Sequence, residues 1–93
     1  MGERKVRAVV SGKVQGVWFR AWTVEAALAR GLRGWVRNRA DGTVEAVLAG
    51  EEGAVEAMLA ALRDGPPLAR VAHLEVEDWP EPVDPGFKQR PTA

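Results

Sequence analysis

The stretch from Ser11 to Arg20, Ser-Gly-Lys-Val-Gln-Gly-Val-Trp-Phe-Arg, constrains the fold more than any other part of the chain. Before it, apolar residues alternate: Val6, Ala8 and Val10 lie on one side, and Lys5, Arg7 and Val9 on the other. After it, Ala21, Val24, Leu28 and Leu32 keep near-helical spacing. A period that changes from two to about 3.6 across one short loop demands a strand, a tight turn and a helix start. The first N–H groups of a helix have no partner within it, and the helix dipole favours negative charge there. Gly16 permits φ > 0 and a close approach of backbone to a ligand. Arg20 adds a planar fork of donors that matches phosphate oxygens. The stretch therefore reads as a phosphate cradle.

The rest of the composition narrows the setting. A chain of 93 residues is expected to form a single domain spanning residues 1–93. The absence of cysteine removes disulfides, thiolate metal sites and a cysteine nucleophile. No stretch approaches the ~18 apolar residues of a membrane span. The N-terminal Met-Gly-Glu-Arg-Lys-Val has no apolar run behind its charges, unlike a signal peptide. A cytoplasmic protein is the expectation. Net charge is zero but unevenly spread. Residues 1–39 hold nine basic side chains against two acidic ones, and residues 40–93 hold four against eleven. The cradle lies in the basic part, which suits an anionic ligand; two halves that simply pair with each other suit the pattern equally well.

In chain order, Lys5 to Ser11 is a strand and Phe19 or Arg20 to Arg30 a helix, stopped by Gly31 with Leu32 as its apolar partner. Arg33 to Asn38 is a second strand, with Trp35 facing away from Val36. Asp41-Gly42 turns it into a third, Thr43 to Ala49, which Gly50 breaks. Glu51 to Asp64 is the clearest helix, with Val55, Met58, Leu59 and Leu62 on one face and Gly65-Pro66-Pro67 as its end. Val71 to Trp79 is a fourth strand. Pro80, Pro82 and Pro85 impose an extended linker, Gly86 to Arg90 has room for a short fifth strand, and Pro91-Thr92-Ala93 is expected to fray. The order β-α-β-β-α-β is the ferredoxin-like arrangement of an α+β domain: one antiparallel sheet with both helices on one face. The other face is left to water or to a partner. The four tryptophans, Trp18, Trp22, Trp35 and Trp79, are expected in core and rim packing, with Trp18 near enough to the cradle to line its mouth. Arg4, Lys5, Arg7 and Lys13 are expected in solvent, as are Glu75, Glu77 and Glu81, and His73 is structural or solvated.

Other phosphate and nucleotide motifs fit poorly. The Gly-Lys-Ser/Thr of a Walker A loop is absent, and so is Gly-x-Gly-x-x-Gly. The third strand has no aromatic residue and carries Glu45, which weighs against an RNA-binding sheet.

Three segments together carry a family resemblance. Gly12-Lys13-Val14-Gln15-Gly16-Val17-Trp18-Phe19-Arg20, followed by Gly34-Trp35-Val36-Arg37-Asn38 and Asp41-Gly42-Thr43-Val44-Glu45, resembles the acylphosphatases across roughly residues 5–90. The resemblance implies hydrolysis of small-molecule acyl phosphates with no cofactor and no metal. It assigns phosphate binding to Arg20 and to the backbone N–H groups of Gln15, Gly16, Val17, Trp18, Phe19 and Arg20, and water positioning to Asn38. Arg20 and Asn38 are thus the expected catalytic pair. No nucleic acid, no membrane and no second copy of the chain is expected as a partner. The chain departs from the family at Arg39, where a small or hydroxyl residue is common, and after Arg90, where Pro-Thr-Ala replaces an aromatic residue. A non-catalytic anion-binding module of the same fold is the alternative.

The residue inventory supports the same substrate class. Apart from Ser11, the stretches Ser11 to Arg20 and Gly34 to Asn38 hold no Asp, Glu, His, Ser or Cys, and so no evident nucleophile or general acid. An alkoxide leaving group wants a proton donor. A carboxylate, with a conjugate acid of pKa about 4, does not.

Overall fold

Alternation and helical spacing translate into seven elements: β1 (Glu3–Lys13), α1 (Phe19–Ala29), β2 (Arg33–Asn38), β3 (Val44–Glu51), α2 (Glu52–Asp64), β4 (Arg70–Asp78) and β5 (Phe87–Gln89). The computed structural model describes residues 2–93. The strands form one sheet in the order β4-β1-β3-β2-β5. The four long strands pair antiparallel, as expected. The short fifth strand joins β2 in parallel, so the complete sheet is mixed.

Strand parity explains the layers. Val6, Ala8 and Val10 of β1 align with Leu48, Ala46 and Val44 of β3, all fully buried on one face. The helices cover that face. Val55, Met58, Leu59 and Leu62 of α2 supply the expected apolar stripe. Side chains of this size contribute about 1.5–3 kcal/mol each when fully buried. Glu51 caps α2 by accepting the Ala54 N–H at 3.0 Å. In α1 the buried stripe is Phe19, Thr23 and Ala27, not Ala21, Val24 and Leu28; Leu28 is exposed. Small side chains at Thr23 and Ala27 let the helix lie close to the sheet, and Phe19 fills its leading end. The Thr23 hydroxyl donates to the Phe19 carbonyl at 2.7 Å, which satisfies the buried oxygen. The Gly31 stop forms as expected: the Gly31 N–H donates to Leu28 O and the Leu32 N–H to Ala27 O, with Leu32 buried beyond them.

Four boundaries or positions differ from expectation. β3 runs through Gly50 to Glu51, because Gly50 pairs with Arg4 and its lack of a Cβ admits Leu32. Gly12 belongs to β1 and not to the loop. Its φ is +123°, and a Cβ there would meet Arg70 O at 2.2 Å, where a register shift lets Ser11 pair with His73 and Gly12 with Val71. That shift puts both Val71 and Leu74 against the core, although simple alternation separates them. Third, the tail does not fray. The Arg90 N–H donates to Val36 O, the Ala93 N–H to Asn38 O, and Ala93 O accepts from the Ala40 N–H. Fourth, Arg7 is not a solvated side chain: it pairs with Glu45 and Glu77.

The face away from the helices is covered by the chain's own side chains. Glu45 is 4% exposed and accepts from both Arg7 and Arg37, the latter at 2.7 Å. Beside them the Trp35 ring carries Arg37 and Arg90 at 4.9 and 4.6 Å and meets Trp79 edge to face. The proline-rich linker crosses from β4 to β5 along the row Lys5–Ala49–Arg33. The Trp79 N–H donates to Lys5 O, Lys5 Nζ to Glu81 O and Arg33 Nε to Val83 O.

Candidate active site

The loop between β1 and α1 is held by two buried valines, Val14 and Val17, and turns on two left-handed residues, Gly16 at φ 73° and Trp18 at φ 66°. Trp18 also stands at the N-cap of α1, with no side-chain cap bond. This geometry leaves donors unclaimed. No acceptor among the described residues takes the N–H groups of Gln15, Gly16, Val17 or Trp18. The first helical bond is made only by the Trp22 N–H, to Trp18 O at 2.9 Å, so Phe19, Arg20 and Ala21 add the free donors of a helix start. Successive amides in such a turn form a concave anion nest.

Strand parity brings Asn38 to the same place. It shares a face of β2 with Gly34 and Val36, so its side chain faces the helix layer, at the strand end nearest the start of α1. Arg20 and Asn38 are both half-buried, and neither side chain has a hydrogen-bond or ion-pair partner among the described residues. They line one cleft of about 300 Å³ together with Val14, Gly16, Trp18, Phe19, Ala21 and Gln89.

The expected site residues divide in two. Gly16, Trp18, Phe19, Arg20 and Asn38 line the cleft. Gln15 and Val17 do not. Val17 is a core anchor, and the Gln15 side-chain amide donates to Arg39 O and Thr43 O, each at 2.9 Å. Gln15 therefore ties the loop to the hairpin that follows Asn38. That hairpin is set by Asp41, which accepts from the Thr43 N–H at 3.0 Å and its hydroxyl at 2.6 Å. The Thr43 hydroxyl and N–H hold the Asp41 carboxyl below the usual carboxylate range. Trp18 was expected in packing with a place at the cradle mouth; it lines the cleft but is 80% exposed and packs into no core. Gln89 was missed. It sits on a three-residue strand after a proline-rich stretch, with no periodicity to mark it.

An α+β domain with an unclaimed amide nest, an unpaired guanidinium and an unpaired carboxamide at one cleft has the donors that can hold a tetrahedral oxyanion. Comparison with known proteins narrows that class. The acylphosphatase family profile matches residues 6–89. An acylphosphatase of Rhodospirillum rubrum is 64% identical over 89% of this chain and 91% of its own length. One from Rhizorhabdus wittichii is 62% identical over 94% of this chain and 88% of its own. The solved structure of an acylphosphatase from Coxiella burnetii superposes with a TM-score of 0.91 at 36% identity, covering 95% and 93% of the two chains. The chain belongs to the acylphosphatase family.

Proposed function

We propose that the chain is an acylphosphatase, which hydrolyses the carboxyl-phosphate bond of acyl phosphates to a carboxylate and inorganic phosphate. The observation that carries this reading is that Arg20 and Asn38, whose side chains have no hydrogen-bond or ion-pair partner among the described residues, line one cleft with the free amides of the helix-start loop. The backbone N–H groups from Gln15 to Arg20 and the Arg20 guanidinium hold the phosphoryl oxygens and take up charge as the transition state forms. The Asn38 carboxamide orients a water in line with the bond that breaks. A phosphate oxygen of the substrate accepts the water proton, and the carboxylate departs without a general acid. Positioning and charge stabilisation suffice for such a transfer, so neither a covalent intermediate nor a metal enters the scheme. One domain spanning residues 1–93, acting as a monomer in the cytoplasm, belongs to the same proposal.

The test is hydrolysis of benzoyl phosphate in the presence of EDTA by the wild-type chain, Arg20→Ala and Asn38→Ala. Metal-independent turnover that collapses in both variants, each folded by circular dichroism, is the expected result. An inactive wild type whose melting temperature still rises with phosphate makes the chain an anion-binding module and removes the role given to Asn38.

A further inference from the structure

We propose that Trp18 forms the wall on which the acyl group of the substrate packs, and that the chain therefore favours acyl phosphates with a planar, apolar acyl group over those with a small one. This inference rests on the acylphosphatase reading and adds a specificity determinant to it.

Trp18 is anomalous in two ways at once. Among the described residues it is the most exposed of the large apolar side chains at 80%, whereas Trp22, Trp35 and Trp79 are each half-buried or buried. It is also the only non-glycine residue with positive φ among the described residues. A bulky residue in that conformation is strained, and glycine or asparagine would adopt it with less strain. The indole makes no side-chain cap bond and takes part in neither of the ring pairs, Phe19–Trp22 and Trp35–Trp79. What it does gain is a position on the cleft that also holds Arg20 and Asn38.

The shape of that cleft supplies the reason. Its 300 Å³ exceeds the space a phosphoryl group fills, and the head group is claimed by the loop amides and Arg20. The remaining lining is apolar at Val14, Ala21 and the indole, with the exposed, unpartnered amide of Gln89 beside them. An acyl group leaving the phosphoryl oxygen meets the Trp18 ring, and a planar one offset-stacks on it. A methyl or amino group covers too little of the ring to gain from the contact.

The experiment measures kcat/KM for benzoyl phosphate and acetyl phosphate in wild type, Trp18→Ala and Trp18→Phe, and compares the benzoyl-to-acetyl ratio. Both substrates carry the same head, so any effect of a substitution on the loop amides cancels in the ratio. The ratio is expected to fall roughly five- to tenfold in Trp18→Ala and to stay within about twofold of wild type in Trp18→Phe, as loss and retention of one stacked ring pair require. A fall of less than about threefold in Trp18→Ala overturns the proposal, as does a phenylalanine variant no better than the alanine one. Trp18 is exposed, and circular dichroism checks that each variant folds. A wild type that hydrolyses neither substrate overturns the acylphosphatase reading and the acyl wall with it, a result distinct from turnover of both substrates with an unmoved ratio.

Discussion

Arg7 and Arg37 lie on the outer face of the sheet and close on one carboxylate, Glu45. Arg20 lies at the start of α1 and meets no carboxylate among the described residues, although it is half-buried as they are. All three are arginines on a 93-residue domain, yet only one has its charge left unmatched. On the outer face the protein has completed its own electrostatics. At the cleft it has stopped short: the guanidinium, the Asn38 carboxamide and a run of amides wait together. A cation at a helix N-terminus also opposes the helix dipole, so the fold gains from Arg20 only when an anion arrives. The contrast separates charge that the fold pairs with itself from charge that the proposed function assigns to a ligand.

Removing the charge on each side breaks the comparison in opposite ways. The largest effect belongs to Arg20→Ala, which should lower kcat for benzoyl phosphate by roughly 10²–10³, the usual loss for one donor to transition-state charge. Its urea midpoint should stay near wild type, because no hydrogen bond or ion pair among the described residues is lost. Asn38→Ala should lower kcat by roughly 10² with a smaller change in KM, since misplacement of the attacking group carries a penalty of that order. Glu45→Ala should do the reverse. It leaves the Arg37 guanidinium without a carboxylate among the described residues and the Arg7 guanidinium with Glu77 alone, and should destabilise the fold by about 2 kcal/mol in urea denaturation, less than the ~3–5 kcal/mol of a fully buried broken pair because both arginines keep some water. Turnover per folded molecule should change little.

The same pair has a signature in pH. Burial pushes the Glu45 carboxyl up, but the N–H donors of Arg7 and Arg37 outweigh it and leave the group below its ordinary value. A depressed carboxylate stabilises the fold above its unfolded pKa, near 4.5, and loses that contribution as pH falls through the folded value. The stability gap between wild type and Glu45→Ala should be full at pH 7 and close progressively below about pH 4.5, as followed by thermal melts. The smallest expected effect sharpens the picture at Asn38. Deleting residues 91–93 removes the hydrogen bond that the Ala93 N–H donates to Asn38 O and the one that Ala93 O accepts from the Ala40 N–H. Two exposed bonds contribute about 1 kcal/mol each at most, so kcat should fall a few-fold while phosphate affinity, set by the loop, holds.

Much of this contrast was legible beforehand on the cleft side and little of it on the other. Gly16 and Arg20 sit in one local motif, where a change of period marks the loop, and Asn38 closes a second. Local patterns of this kind show in a linear reading. Glu45 did not. It alternates with apolar neighbours in β3 and looked like any outward-facing acid, because its partners lie 38 and 8 residues away on two other strands. Gln15 was given a place in the cradle for its backbone, and its tie to Arg39 and Thr43 depends on how the loop meets the hairpin. The burial of α1 through Thr23 and Ala27 likewise reflects packing distance more than hydropathy. The register shift between Ser11 and Gly12 and the docked tail arise from strand pairs that close only in the whole sheet.

The strand order has a further consequence, for the newborn chain. β1 is flanked by β3 and β4, and its Gly12 pairs with Val71, so the first strand made is among the last to be fully enclosed. At a ribosomal pace of ~5–20 residues per second, an apolar strand waits several seconds for its outer neighbour. Closure between such distant segments is also the slow step in folding a sheet of this kind. The basic residues threaded through the early part of the chain, Arg4, Lys5, Arg7 and Lys13, keep that waiting strand charged, and thereby hinder its premature pairing with another copy emerging nearby.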